Sequence, residues 1–238
     1  MEVVKAIILK SIPYMENQRI IKTYSAEKGY LSFITTAPPS KRKNNGAIQC
    51  MQITEIEYME SPTGDLHKIT SILPLNNTSS IYFHVYKMNI ALLWGEILNP
   101  ILQHEEENEN LFEFIEHAVE YLHSTGEEIA NFNLYFLYRL CGLLGFRIDT
   151  ESYRTGYVFN VNDGRFYPPE GKADYSTGPH SAQAIHHFCS SPLSDIGKIP
   201  LNRESRSILL DIVLLFLGFH LNLNFNNKSI QVIREIFQ

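Results

Sequence analysis

The sequence predicts an α+β protein of two domains, in which an N-terminal five-stranded β-barrel precedes a mainly α-helical domain. Roughly the first 75 residues contain five short runs of alternating or β-branched apolar residues, separated by turn-forming residues. After Asn76–Ser79 the apolar spacing changes from a period of two to the 3.6-residue period of a helix. The formal charge also changes, from +2 over residues 1–80 to −8 over residues 81–238.

The five predicted strands are short and mostly connected by hairpins, which is typical of a small closed barrel. Turn signals at Pro13–Asn17, Ala26–Gly29 and Ser61–Asp65 separate them. The five-stranded oligonucleotide/oligosaccharide-binding (OB) fold is therefore the first candidate for residues 1–78. The predicted strands are Val3–Leu9, Arg19–Tyr24, Tyr30–Thr35, Gln49–Glu60 and Leu66–Leu73.

Residues 79–238 are predicted to form the helical domain, with an irregular insertion near residues 147–178. Ser79 or Ser80 is expected to cap the first helix, and Asn110 the second. The insertion contains a predicted hairpin of Tyr157–Val161 and Arg165–Tyr167, with its turn at Asn162–Gly164. The predicted helices are Tyr82–Leu102, Leu111–Leu122, Ile129–Leu144, Ser181–Cys189, Arg203–Leu221 (capped by Asn202) and Ser229–Phe237.

The loop between the third and fourth predicted strands is the main candidate for binding phosphates. Pro38 and Pro39 stop the strand, and the three cations Lys41, Arg42 and Lys43 follow at once. No acidic residue lies between Glu27 and Glu55, although the chain is acidic overall. A stiff basic loop beside a sheet favours contact with nucleic-acid phosphates, and a solvated surface turn is the alternative.

Other barrel residues could extend this interface. Lys10, Arg19, Lys22 and Lys68 lie on predicted strands beside the loop and are secondary candidates for phosphate contacts. Bases of single strands also stack on aromatic rings, for which core packing is the alternative role. The candidate rings are Tyr14, Tyr24, Tyr30 and Phe33.

The sequence favours a binding protein over an enzyme. It contains neither a glycine-rich phosphate loop nor carboxylates with metal-binding spacing. His180, His186, His187 and Cys189 are zinc-ligand types, but adjacent residues on a helix point apart, so a helix surface with a buried cysteine is expected. Cys141 lies in an apolar helix and is expected in the core, and the odd count of three cysteines indicates no disulfide framework. No cofactor, metal site or catalytic residue is predicted.

Nothing in the sequence predicts membrane association. The start of the chain lacks the basic and apolar regions of a signal peptide. The longest apolar run, Ile208–Leu223, contains Asp211 and His220 and is shorter than the ~18 uninterrupted apolar residues of a membrane span. A soluble, cytoplasmic and nucleoid-associated protein is expected.

Several segments, taken in order, resemble the RecO family of bacterial recombination mediators. In the barrel these segments are Ala6–Leu9, Arg19–Ile21, Tyr24 with Glu27–Gly29, and the three-cation loop followed by Gly46-Ala47. In the helical part they are Ala130–Phe132, Leu140–Phe146 (LCGLLGF), Tyr153–Gly156, and Phe159 with Gly164–Phe166. The resemblance spans nearly the whole chain.

The resemblance implies a function that composition alone does not give. It implies a barrel that binds single- and double-stranded DNA and anneals complementary strands. It also implies partnership with RecR and with single-stranded-DNA-binding protein, so that the recombinase RecA is loaded onto coated DNA. The alternative is a non-catalytic interaction module whose OB barrel has lost DNA binding.

The sequence departs from the family pattern in two places. Many members carry zinc-binding cysteines in the segment equivalent to Tyr153–Gly178, which contains no cysteine here. The segment is instead expected to pack through Tyr157, Phe159, Phe166 and Tyr167. The loop also has Thr36-Ala37-Pro38-Pro39 where relatives have a more basic, glycine-rich stretch.

The acidic helical domain is expected to contact proteins rather than DNA. The resemblance names a partner whose C-terminal tail is acidic and apolar, which requires an apolar groove with a cation at its edge. Arg139 and Arg147 flank the apolar helix Ile129–Leu144, which also carries Tyr135 and Tyr138. These four residues form the predicted tail site. Pairing of both arginines with Glu127, Glu128 or Asp149 is the alternative.

Overall fold

The computed structural model describes residues 1–36, 48–62, 64–103, 105–126, 129–171 and 175–225. The chain divides into two compact units, Met1–Ser124 and Thr125–Gln238. The first unit contains a closed five-stranded barrel, helices follow it, and the predicted α+β architecture is confirmed. The predicted helix Ser229–Phe237 lies outside the described residues.

The barrel is one sheet that closes on itself in the order β1-β2-β3-β5-β4. Neighbouring strands are antiparallel, except that β3 and β5 pair in parallel. Closure leaves each strand with two paired neighbours, which is how small barrels avoid exposed sheet edges. The strands are β1 Glu2–Tyr14, β2 Gln18–Ser25, β3 Gly29–Thr36, β4 Ile53–Met59 and β5 Leu66–Pro74.

Strand β1 is longer than the predicted Val3–Leu9, and the turn predicted at Pro13–Asn17 shrinks to three residues. Pairing with β2 keeps the strand extended to Tyr14, and Met15 makes the turn with a positive φ of 50°. Pro13 is tolerated because it lies near the strand end, where one missing donor costs little.

A register shift between Ile8 and Lys10 interrupts the pairing of β1 with β2. A bulge of this kind bends a strand and changes the direction of its side chains. Beyond it, Ser11 lies opposite the buried Ile21, and Lys10 lies opposite Lys22. Because side chains alternate along a strand, Lys10 and the alternate residues after it are on the outer face.

Alternate residues of the strands fill the barrel interior. The rings of Phe33 and Tyr58 meet edge to face, with centroids 5.1 Å apart. The His67 ring packs against both, at 5.9 and 5.2 Å. The remaining buried residues of this core are Val4, Ala6, Ile8, Ile21, Ile56, Ile69 and Ile72.

Three helices complete the first unit: α1 Ser79–Phe83, α2 Val85–Leu102 and α3 Glu109–Ser124. The single predicted helix Tyr82–Leu102 is wrong at its start, because His84 is extended and caps α2 by accepting from Lys87 N at 3.5 Å. The predicted serine caps are also wrong, since Thr78 precedes α1 without a side-chain cap bond.

Helix α3 is capped by Asn108 and not by the predicted Asn110. Its Oδ1 accepts from Leu111 N at 3.0 Å, the reach expected of a residue just before the first turn. The other end of α3 is also held, since the buried Lys87 donates from Nζ to His123 O at 2.9 Å. A cation at the C-terminal carbonyls of a helix satisfies acceptors that lack partners within the helix.

Helix α2 approaches the barrel closely because it has a glycine at the contact. A Cβ on Gly95 would lie 2.3 Å from Cys50 Sγ and 2.5 Å from Leu9 O. The Cys50 thiol donates to Leu9 O at 3.1 Å and contacts Ala91 O at 3.2 Å. Burial raises the pKa of this thiol to about 12, so it stays protonated.

The second unit is built on α4 Ile129–Leu143, α5 Pro179–Ser190 and α6 Arg203–Leu221. The predicted cap of α6 is confirmed, since Asn202 Oδ1 accepts from Ser205 N at 2.8 Å. Tyr138 of α4 joins the three helices: its ring stacks on Phe188 of α5 at 5.9 Å, and its hydroxyl donates to Leu209 O of α6 at 3.0 Å.

The irregular insertion contains the predicted hairpin, with β6 at Val158–Asn160 and β7 at Arg165–Tyr167. Gly164 makes its turn with a φ of 70°, a conformation that glycine adopts without strain. Phe159 and Phe166 are buried with ring centroids 5.1 Å apart, and Phe159 reaches Phe216 of α6 at 6.0 Å. Aromatic packing therefore holds the segment.

No helix in the described part of the chain is long and apolar enough to cross a membrane.

The contact of α2 with the barrel predicts that Gly95→Ala destabilises the first unit by about 1–3 kcal/mol, because the added methyl group overpacks a contact with backbone. Trp94 is the only tryptophan of the sequence and is fully buried, so its fluorescence during urea unfolding reports on this unit. Gly64→Ala is the matched control, since nothing lies within 4 Å of its Cβ position. Equal stability of Gly95→Ala and wild type would contradict the close approach.

The aromatic packing of the insertion predicts that no structural zinc is needed. Purified protein should contain no stoichiometric zinc on elemental analysis, and a chelator should leave the melting temperature unchanged. Phe159→Ala should instead cost about 3–5 kcal/mol, the usual loss for a buried phenylalanine. One tightly bound zinc ion per chain would contradict this prediction.

Candidate nucleic-acid interface

The predicted phosphate-binding residues Lys41, Arg42 and Lys43 lie outside the described residues. The structure places the two ends of their loop. The chain leaves β3 at Thr36, whose Cα partner is Gln18, so this end lies at the β1–β2 hairpin. It returns at Ile48, which packs against the barrel core, and Met51 N then donates to Ile8 O at 2.6 Å.

Lys10 and Lys22 lie side by side on the outer face of the barrel, as Cα partners across β1 and β2. Lys10 is exposed and sits next to the bulge. Lys22 is held in place, because its Nζ donates to Ser32 Oγ at 2.7 Å and lies 5.7 Å from the ring centroid of Tyr30. Such a cation–π contact orients the ammonium group.

Arg19 and Lys68 flank this pair in different ways. Arg19 is half-buried, and its guanidinium donates to Ser11 Oγ at 2.7 Å and to Ser11 O at 3.2 Å. Lys68 is exposed on β5, where its Cα partner on β3 is Ile34. Of the secondary candidates, Lys10 and Lys22 thus lie side by side on β1 and β2, whereas Lys68 lies on β5, on the far side of β3.

The outer face of β4, which lies between β5 and β1, is acidic. Glu55 and Glu57 alternate with the buried Ile56 on β4, so they face outward. Their nearest outward cation, Lys5, is the Cα partner of Glu55, and it pairs with Glu116 at 2.6 Å. Strand β4 therefore carries outward acids, whereas β1 and β2 carry the outward pair Lys10 and Lys22. Alternation along the strands could have shown in the sequence that these residues face outward, but not which strands are neighbours.

The structure separates the candidate stacking rings. Phe33 is in the core and Tyr24 is fully buried, with its hydroxyl donating to Glu106 O at 3.1 Å. Tyr30 is half-buried and donates to Asn99 Oδ1 at 2.9 Å. Burial raises the pKa of both tyrosines to about 12. Tyr14 is 40% exposed at the end of β1 and is the ring best placed to meet a base.

The predicted tail site on α4 is only partly exposed. Arg139 is exposed, lies 5.8 Å from the ring centroid of the half-buried Tyr135, and donates to Cys189 O at 3.3 Å. Tyr138 is 3% exposed, so this predicted contact residue packs inside the unit and offers almost no surface to a tail. Arg147 is exposed beyond the end of α4.

The alternative is that Arg139 and Arg147 pair with Glu127, Glu128 or Asp149. Asp149 pairs with Arg165 at 3.2 Å. Glu127 and Glu128 lie outside the described residues.

The histidine and cysteine residues of α5 do not converge. Within the described ranges no group of three histidine, cysteine or acidic side chains could hold a metal ion. His186 stacks on Tyr153 at 4.3 Å, and burial lowers its pKa. Burial raises the pKa of Cys189 to about 12, and Cys141 is fully buried as predicted. Neutral thiols of this kind are poor ligands and nucleophiles.

Two family models together cover most of the chain. "Recombination protein O N terminal" matches residues 1–78, and "Recombination protein O C terminal" matches residues 85–229. The first match corresponds to the barrel, and the second begins with α2.

Curated relatives match over almost their full length. A DNA repair protein RecO of Christiangramia forsetii is 28% identical, over 98% of both chains. Another of Flavobacterium psychrophilum is 29% identical, again over 98% of both chains. A third, of Phocaeicola vulgatus, is 26% identical over 97% of both chains. The chain accordingly belongs to the RecO family of DNA repair and recombination proteins.

Proposed function

We propose that this protein is a non-catalytic, DNA-binding recombination mediator. The barrel of residues 1–78 binds single- and double-stranded DNA and anneals complementary strands. The helical part, residues 79–238, binds RecR and the C-terminal tail of single-stranded-DNA-binding protein. Together these contacts help to load the recombinase onto coated single strands near the nucleoid.

The observation that carries the DNA-binding role is the division of charge on the barrel. Lys10 and Lys22 are paired across β1 and β2, and Lys68 follows on β5 beyond β3, whereas the acidic Glu55 and Glu57 occupy β4. A protein of net charge −6 repels DNA at long range, so it binds only if cations are gathered on one surface. The loop with Lys41, Arg42 and Lys43 adds to that surface, because it leaves the barrel beside the β1–β2 hairpin.

The proposed tail site uses a different chemistry. A terminal carboxylate gains most from an arginine whose geometry is already fixed. Arg139 is held by the Tyr135 ring and by Cys189 O, which reduces the entropy lost on binding. Tyr138 fixes the helix from beneath, and Arg147 adds positive charge beyond the helix end.

The loop start, Thr36-Ala37-Pro38-Pro39, contains no basic residue, which favours a second candidate function. In that case the barrel has lost DNA binding and works through protein contacts alone. Titration of labelled single-stranded DNA across a salt series separates the two. A mediator binds the labelled DNA at low salt, and its affinity falls steeply as the salt concentration rises. An interaction module does not bind the DNA at any salt concentration.

Replacing Lys41, Arg42 and Lys43 together by alanine should weaken binding to all DNA sequences alike. Each lost phosphate contact makes the plot of log K against log salt less steep. Loss of all three contacts should reduce the magnitude of the slope by about 2 for single strands and about 3 for duplex DNA. Fluorescence anisotropy over the salt series measures both slopes.

The matched control removes three exposed cations elsewhere, through Lys28→Ala, Lys198→Ala and Arg203→Ala. It changes the net charge equally but should leave the slope within error of wild type. If the loop variant and this control behave identically, the loop is not part of the interface.

Arg139→Ala should weaken binding of the last nine or so residues of the tail by about 1.5–3 kcal/mol, the value of a charge-assisted hydrogen bond. Isothermal titration calorimetry measures the affinity. Lys198→Ala serves as the control, because its partner is Asp195 at 2.6 Å on the same unit. Equal affinities of wild type and Arg139→Ala would place the tail elsewhere.

A further inference from the structure

Three isoleucines form an aliphatic row on the outer face of β1, β2 and β3, next to the pair Lys10 and Lys22. Ile12 and Ile20 are Cα partners across β1 and β2, and Ile20 and Ile34 are Cα partners across β2 and β3. Neighbouring strands are about 4.8 Å apart, so the row is about 10 Å long. Ile12 is 37% exposed, while Ile20 and Ile34 are half-buried.

Cations border this row on two sides. Lys68 continues it onto β5, as the Cα partner of Ile34. The adjoining row, two residues along each strand and therefore about 7 Å away, begins with Lys10 and Lys22. On the far side the row from Tyr14 to Gln18 follows, with Tyr14 40% exposed.

The charge and the apolar row together restrict what this face can bind. No acidic side chain occupies the described outward positions of these three rows, which favours an anionic partner. Covering isoleucines with phosphates would desolvate charge without forming a hydrogen bond. The partner must therefore offer apolar surface between its charges.

Single-stranded DNA has this chemistry, because its bases are unpaired and can turn toward the protein while its phosphates remain charged. In a duplex the base faces are stacked inside the helix and only phosphates and groove edges are presented. Resting on the proposed DNA-binding function, we infer that Ile12, Ile20 and Ile34 form a platform for bases that makes the barrel discriminate single-stranded from duplex DNA. Lys10, Lys22 and Lys68 hold the phosphates on either side.

The test compares wild type with the variant Ile12→Thr/Ile20→Thr/Ile34→Thr. Threonine keeps the β-branched shape and strand propensity but removes apolar contact area. The variant should bind an oligothymidylate of about 20 nucleotides about tenfold more weakly, while its Kd for a duplex of equal length changes less than about twofold. Circular dichroism and a melting curve verify that it is folded.

The matched control is Val3→Thr/Leu73→Thr. Both residues are exposed and lie on the other side of the barrel, as Cα partners of Glu57 and Glu55. This control should leave both affinities unchanged. An equal loss of affinity for both DNA forms in the isoleucine variant, or no loss for either, would overturn the platform.

A second measurement uses the wild type alone and so does not depend on folding of a variant. An abasic strand of the same length keeps every phosphate but has no bases, and it should bind about tenfold more weakly than oligothymidylate. Equal binding of the two strands would overturn the inference while leaving phosphate binding intact. If wild type binds none of the three DNAs at low salt, the proposed DNA-binding function itself fails.

Discussion

Closure of the barrel by the parallel pairing of β3 with β5 is the constraint on which the first unit depends. Among the described residues three pairs form it, from Ser32 with Leu66 to Ile34 with Lys68. Without it, β3 and β5 would be open sheet edges. The rings of Phe33 and Tyr58 would also lose their contact with the His67 ring of β5. Parallel pairing between distant segments costs loop-closure entropy, and the buried rings offset that cost.

Closure also decides how charge is distributed over the surface. It places β5, with Lys68, next to β3, and it leaves β4 between β5 and β1 with its two glutamates outward. Cations that are far apart in the sequence, Lys22 on β2 and Lys68 on β5, thereby flank β3, while the two glutamates lie on β4. Because interactions between exposed charges are screened within about 10 Å, this local arrangement matters more to a DNA strand than the net charge of −6.

The second unit is stabilised by aromatic contacts and by a buried hydrogen bond from a tyrosine hydroxyl to a backbone carbonyl. Tyr138 bonds to α6 from within the core, and Phe159 connects the insertion to the same helix. Burial raises the pKa of Cys141 far above its usual value, so this thiol is a packing group. The described part of the insertion contains no cysteine, and its rings Phe159 and Phe166 pack against each other and toward α6.

The sequence by itself determined the barrel, the helical remainder and the hairpin of the insertion, because alternation, period and turn residues such as Gly164 are local signals. It did not reveal that His84 separates α1 from α2, or that Asn108 caps α3. The ends of helices depend on a few hydrogen bonds, and alternative end positions differ little in energy. Only the tertiary structure decided that Tyr24 and Phe33 are buried and that Lys10 lies beside Lys22. Those facts depend on which strands pair and in what register, and the bulge between Ile8 and Lys10 shifts that register.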